Sequence, residues 1–276
     1  MAIVLLCSAS GAPGVTVTAL GLTLTWPRDV LLVDADRSPS QAVLAGYLRG
    51  ASAHDLGLPG ILQAHRERRP VSEAIDAQSM SLPEPPAPKG VGLGPTRRFL
   101  PGFVHPGTAD VFSAVWRDLG QALQEAPHDT ILDAGRIGSR GLPTDLAEAS
   151  GTIGVVTRTS LVALAALRLQ LPTLLDQVPS GQVGLILVGA GRPYRAKEVA
   201  EQFGVGVLAE IAWQPSAAAD LQEGQLLSRR WRRQALARSF ADAAGRLTTL
   251  QDAERARIGT PAPAASPARR REVSVA

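Results

Sequence analysis

The stretch Ala2–Thr18, AIVLLCSASGAPGVTVT, decides how the chain folds. It opens on an uninterrupted apolar run, Ile3–Cys7, of the kind that suits a parallel strand covered on both faces. It then turns small and polar. Gly11 and Gly14 bracket Pro13, and Thr16 opens a helical segment that reaches Trp26 before Pro27 ends it. Strand, glycine loop and helix together make the arrangement in which backbone N–H groups cradle phosphates. A working loop of that type reads G-x-x-x-x-G-K-[ST]. Here the stretch reads Ala9-Ser10-Gly11-Ala12-Pro13-Gly14-Val15-Thr16. The last glycine and the hydroxyl are in place, the first glycine is alanine, and the phosphate-binding lysine is Val15.

The same pattern recurs along the chain. Val30–Val33 is a second apolar run, followed directly by Asp34-Ala35-Asp36, and a carboxylate just past a parallel strand lies on the ligand-binding edge. Arg97–Leu100, Thr130–Leu132, Thr152–Val156, Val183–Val188 and Val205–Ile211 read as further strands, the second of them running into Asp133. Between them, Ser40–Leu48, Asp55–Leu62, Val71–Ile75, Ala109–Ala126, Leu161–Leu175 and Ala196–Phe203 read as helices, and Ser228–Leu247 as the last one. Leu82–Gly94, rich in proline and glycine, is a loop. The alternation predicts an α/β protein with an open, mainly parallel sheet and helices on both faces. A single domain is expected over 1–250. The Pro/Ala-rich basic segment 251–276 offers little apolar surface to bury and is expected to be disordered.

Composition narrows the function classes. Of 276 residues, 45% are hydrophobic, enough for a full core. The only cysteine, Cys7, sits in an apolar strand and has no partner for an internal disulfide. The four histidines are dispersed without metal-ligand spacing, and Ser8 and Ser10 have no recognisable base partner. No apolar run is long enough to cross a bilayer, and no basic residue precedes the first apolar run. The expectation is a cytoplasmic protein, or one peripheral to the inner face of the membrane. Net charge is +3 but uneven: residues 228–276 carry 11 arginines against 4 acids, and the rest of the chain is mildly acidic.

These residues in this order resemble the ParA/MinD family of deviant-Walker P-loop ATPases, and within it the MinD-like and pilus-assembly CpaE/TadZ branch. The family loop, K-G-G-x-G-K-T-T, matches Ser10-Gly11-Ala12-Pro13-Gly14-Val15-Thr16-Val17. Asp36 matches the second acidic motif, Asp133 the switch aspartate, and Trp213-Gln214-Pro215 the loop after a late strand. Leu221-Gln222-Glu223-Gly224 matches the stretch before the last helix. The resemblance covers about residues 2–248. It implies cofactor-binding roles for Gly11 through Val17, magnesium ligation at Thr16 and Asp133, and catalytic roles for Asp36 and Asp133. It also implies a homodimer and a protein partner in a larger assembly such as a pilus or secretion apparatus.

The departures lie at the chemistry. The two family lysines, one acting within the chain and one across the dimer, are Val15 and Ser10 here. Two readings of the loop follow: a scaffold whose glycines only make the strand-to-helix turn, or a weak site for ATP or ADP with magnesium. Arg37 and Arg136 stand beside the loop as substitute cations. The expectation is a positioning or regulatory protein without useful ATP hydrolysis; the alternative is an active ATPase with an altered loop, associated with membrane or DNA. A second notable stretch is Arg229-Arg230-Trp231-Arg232-Arg233. It reads either as a final helix packed through Trp231 with its arginines in water, or as a contact for a partner protein, DNA or anionic lipid.

Overall fold

Alternation within the first strand explains the architecture. In β1 (Ile3–Ser8), Ile3, Leu5 and Cys7 join one hydrophobic cluster while Val4 and Leu6 join another, so both faces of the strand are covered. The same split runs through β2 (Val30–Asp34), where Leu31 and Val33 face one side and Val30 and Leu32 the other. The computed structural model describes residues 1–11, 14–50, 56–84, 94–138, 141–178, 181–225, 227–228 and 230–259.

The strands form one eight-stranded sheet. Besides β1 and β2 it holds β3 (Met80–Ser81), β4 (Arg97–Leu100), β5 (Asp129–Arg136), β6 (Thr152–Arg158), β7 (Val183–Val188) and β8 (Val207–Ile211), in the order β3-β4-β2-β5-β1-β6-β7-β8. Every pairing is parallel except β3 with β4 at the edge. The open, mainly parallel α/β architecture is therefore as the sequence implies, with β1 and β5 side by side at its centre. The register sets Leu6 and Asp34 both opposite Asp133.

The helices are α1 (Val15–Thr25), α2 (Leu58–Arg66), α3 (Val71–Gln78), α4 (Pro106–Val111), α5 (Trp116–Glu125), α6 (Thr144–Ala149), α7 (Leu161–Gln177), α8 (Ala196–Phe203), α9 (Pro215–Gln222) and α10 (Ala235–Gly259). One face of the sheet is covered by α2, α3, α5, α6, α7 and α8, with Phe103, Phe112 and Trp116 in an edge-to-face cluster. The other is covered by α1, α9 and α10, and by a π-helical turn at Ala42–Tyr47.

Several elements depart from the sequence reading. Ser40–Leu48 is that π-helical turn, not an α-helix. Ala109–Ala126 is broken into α4, a short turn of 3-10 helix at Phe112–Ala114, and α5; Val111 is exposed while Val115, Leu119 and Leu123 are buried. Strand β3 and helices α6 and α9 were not expected. The final helix does not begin at Ser228: Trp231–Arg233 is a 3-10 turn, Gln234 is extended, and α10 starts at Ala235. At its far end the helix passes residue 250. The helix runs on through 251–259 because Gln251 is buried and donates to the Ile3 carbonyl at 3.0 Å, while Asp252 pairs with Arg28. Residues 260–276 lie outside the described residues.

Two helical glycines give opposite expectations. A Cβ on Gly21 of α1 would stand 2.3 Å from the Phe240 ring of α10, whereas a Cβ on Gly245 of α10 would meet nothing within 4 Å. Gly21→Ala should cost about 1–3 kcal/mol through overpacking, and Gly245→Ala should gain about 0.5–1 kcal/mol through helix propensity. Urea titrations of the two variants should move in opposite directions; a stabilised Gly21→Ala would show that α1 and α10 do not pack as described.

Candidate functional site

The loop after β1 delivers a helix start to the C-terminal edge of the sheet. Gly14 is the N-cap of α1 at φ 96°, a left-handed conformation suited to glycine. No side chain caps the helix, and its first turn carries no acid, so the leading N–H groups face outward without a built-in anion. Upstream, the Ser8 hydroxyl donates to the Ser10 carbonyl at 2.9 Å and braces the loop. Ala12 and Pro13 lie outside the described residues; Gly11 is exposed, and Thr16 and Val17 are half-buried.

Val15 is the residue that separates this site from a lysine-bearing one. Its side chain is only 5% exposed and belongs to the hydrophobic cluster of Val4, Leu6 and Ala19. It also forms part of the floor of a cavity of about 560 Å³. That cavity runs from Ser10, Gly11 and Gly14 past Asp36 and Gly135 to Trp213, Gln214 and Pro215, with Leu236 and Phe240 of α10 on its far wall.

Three carboxylates gather at this strand edge. Asp133 is 4% exposed, accepts a hydrogen bond from the Thr16 hydroxyl, and accepts one from the Gly135 N–H at 3.0 Å. Burial pushes its pKa up to about 6 despite those bonds. Asp34, opposite it in register, is pushed up to about 8, first by withdrawal from water and then by the charge of Asp133. Its carboxyl accepts from the Asp36 N–H at 3.2 Å and so caps the turn it precedes. Asp36 accepts from the Ser38 N–H at 2.7 Å and lies against Gly135, where a Cβ would be 2.2 Å from the carboxyl carbon. Its pKa is raised, again by burial, and Arg136 and Arg37 act against the rise. Among the described residues no group of three or more His, Cys, Asp or Glu side chains is arranged to hold a metal ion. Cys7, just behind Asp133, is buried and its thiol is pushed up to about 12 by burial, so it is no nucleophile.

The structure thus brings Gly11, Gly14, Val15, Thr16 and Asp36 to one cavity, with half-buried Val17 on its wall, while buried Asp133 stands behind the lining, hydrogen-bonded to Thr16. It does not bring the arginine stretch there. Trp231 is 2% exposed and anchored in the core, so it presents no surface to a partner, while Arg230, Arg232 and Arg233 point into solvent. Arg229 lies outside the described residues. One site feature escaped the sequence reading: the guanidinium of Arg158, at the end of β6, stacks 4.6 Å above the Trp213 ring on the cavity wall. Its position at the carboxyl end of a central parallel strand was the available signal.

The carboxylates set a pH dependence. Asp34 and Asp133 both hold their protons more tightly in the folded chain than a free aspartate near pKa 3.9 does. Their contribution to stability is therefore complete below about pH 4 and is lost as pH rises towards 8. With EDTA present, the melting temperature should be several degrees higher at pH 5 than at pH 8.5, and Asp34→Asn should remove much of that slope. An unchanged slope in Asp34→Asn would show that the carboxyl is solvated.

No protein-family model matches the chain, and no curated protein matches it. Solved structures do. A ParA-family ATPase from Chlorobium tepidum TLS superposes with a TM-score of 0.70 at 17% identity, over 88% of this chain and 98% of that one. The septum site-determining protein MinD from Pyrococcus horikoshii OT3, solved with Mg-ADP, gives 0.63 at 18% identity, over 90% and 96%. MinD from Aquifex aeolicus in its MinC:MinD cell division complex gives 0.65 at 14%, over 90% and 96%. At these identities the likeness is one of fold, and the chain has the fold of the ParA/MinD-type P-loop ATPases.

Proposed function

We propose that this chain is a MinD/ParA-like positioning or regulatory protein that binds nucleotide weakly, does not hydrolyse it at a useful rate, and acts by self-association and partner recruitment. A pilus or secretion apparatus is the kind of assembly it would serve. The observation that carries this reading is Val15, an apolar side chain turned into the core where phosphoryl transfer needs a cation. Ser10 leaves the second lysine position uncharged as well.

The residues present fit a bound nucleotide with magnesium in part. Thr16 and Asp133 are hydrogen-bonded to each other, which places a hydroxyl and a carboxylate close enough together to serve one magnesium ion. Magnesium keeps several waters and takes phosphate oxygens, so it does not need a cluster of three carboxylates. The open N-terminus of α1 would take the phosphates, and magnesium when bound would neutralise charge between them and Asp133. Asp36, held by the Ser38 N–H, would orient a water molecule in the cavity. The MinD of Pyrococcus horikoshii, similar in fold, is a Mg-ADP complex, and that of Aquifex aeolicus assembles with MinC. Helix α7 supports self-association here, since it leaves Leu161, Val162 and Leu169 at 67%, 82% and 77% exposure. No described helix is long and apolar enough to cross a membrane. The exposed Arg230, Arg232 and Arg233 would serve a contact with an anionic partner, DNA or lipid surface.

A second reading, an ATPase with an altered loop, draws on one observation: cations from outside the loop, Arg136 and Arg158, line the cavity. Turnover decides between the two. Highly purified protein with ATP and magnesium should release phosphate no faster than buffer. Val15→Lys should bind ATP about tenfold more tightly, the value of one charge-assisted hydrogen bond of about 1.5 kcal/mol, without gaining turnover, because Ser10 still lacks a charge. Magnesium-dependent turnover in the unmodified protein that disappears in Asp36→Ala would replace the first reading with the second.

A further inference from the structure

Two arginines beside the loop were candidates to replace its lysine, and the structure separates them. Arg37 is engaged: its guanidinium donates to the Gly141 carbonyl. Arg136 leaves the end of β5 one register step past the loop's base, where it pairs with Ser8. Its guanidinium reaches back over the loop, with Nη1 3.9 Å from where a Cβ on Gly11 would be. It lines the cavity, its side chain is exposed, and among the described residues it forms no ion pair within 4.0 Å. Asp36, whose charge it feels, is held instead by the Ser38 N–H. The other cation of the cavity, Arg158, lies on the Trp213 wall.

We infer that Arg136 is the phosphate-reading cation of this site, supplying from strand β5 the positive charge that Val15 does not supply from the loop. The inference rests on the nucleotide-binding part of the reading above. A guanidinium is permanently charged and presents a planar fork of donors that suits two phosphate oxygens, so it can act from a neighbouring strand without the short reach of a loop lysine. A Cβ on Gly11 would stand in ordinary contact with the guanidinium, which places the arginine directly beside the loop. The opening between Gly11, the first N–H groups of α1 and Arg136 is then a polyphosphate site with backbone donors on one side and a guanidinium on the other. The ligand class is a nucleoside di- or triphosphate, and Arg136 reads its phosphates, not its base or sugar.

The test is calorimetric titration of the full chain with MgADP, inorganic pyrophosphate and adenosine, using wild type, Arg136→Gln, Arg136→Lys and the double variant Arg136→Gln with Val15→Lys. Because Arg136 is exposed, all single variants at that position should melt within a degree or two of wild type when no ligand is present. Arg136→Gln should weaken MgADP and pyrophosphate by tenfold or more and leave adenosine unchanged. Arg136→Lys should lie between, and Val15→Lys in the Arg136→Gln background should restore phosphate binding from the original lysine position. Equal affinity of wild type and Arg136→Gln for MgADP would overturn the inference while leaving the nucleotide site standing. An equal loss for adenosine would also overturn it, since the arginine would then be shaping the cavity. No binding of MgADP or pyrophosphate by wild type at millimolar ligand would overturn the inference and the nucleotide-binding reading together.

Discussion

Strand β5 fixes both ends of the molecule through two aspartates. At its start, Asp129 is 1% exposed and accepts from the Ala2 N–H at 2.8 Å, the Trp26 indole N–H at 3.0 Å and the Arg28 Nε–H at 2.8 Å. It thereby ties the chain's start, the end of α1 and the approach to β2 to one buried carboxylate. Arg28 carries the tie onward to Asp252 of α10. At the strand's other end stand Asp133 and Arg136. A slip of one residue would turn Asp133 to the opposite face of the sheet, and the clamp at Asp129 opposes such a slip. The geometry of the cavity is therefore held in place by hydrogen bonds at the far edge of the sheet.

Position 15 is contested by two environments. It lies at the first helical residue after the loop, open to the cavity on one side and to the second hydrophobic cluster on the other. A lysine there would extend toward the cavity; valine gives its bulk to the core, and full burial of such a side chain stabilises by about 1.5–3 kcal/mol. The exchange keeps the turn and the helix start intact, because those depend on Gly14 and not on the side chain that follows. It removes charge from a site that already holds three carboxylates. Burial raises the pKa of Asp34 and Asp133, the charge of Asp133 adds to the rise at Asp34, and that of Asp36 adds to the rise at Asp133. Arg136, entering from β5, places a positive charge beside Asp36 without disturbing the core.

What could be read from sequence follows from where a single physical signal dominates. The apolar runs of β1, β2, β6 and β7 are buried on both faces and announce themselves. The edge strand β3 has two residues and no apolar run to announce it. Helix α9 hides behind Pro215, which reads as a strand terminator yet sits at the first turn of a helix, where a missing N–H costs nothing. The later apolar stripe of Ser228–Leu247 predicts one continuous helix, but Trp231 is buried in the core ahead of it, in a tight 3-10 turn. Asp36 stands out in the sequence because it lies just past the apolar run of β2, and Asp133 because it follows the run 130–132, although β5 continues through Arg136. The stack of Arg158 on Trp213 does not stand out, because it joins residues 55 positions apart that meet only once β6, β7 and β8 are in register.

The C-terminal helix is part of the cavity and not only its cover. Leu236 and Phe240 form its far wall, and the Leu236 N–H donates to the Gln214 side chain at 2.7 Å, beside Trp213 and Pro215. One turn later, the Ser239 hydroxyl accepts from the Ala212 N–H at 3.1 Å. The loop after β8 is thus stapled twice to the start of α10, and the turn that precedes α10 is held by buried Trp231. Arg230, Arg232 and Arg233 flank that tryptophan in solvent. The turn that displays these arginines and the cavity wall formed by Leu236 and Phe240 therefore share one support, the start of α10.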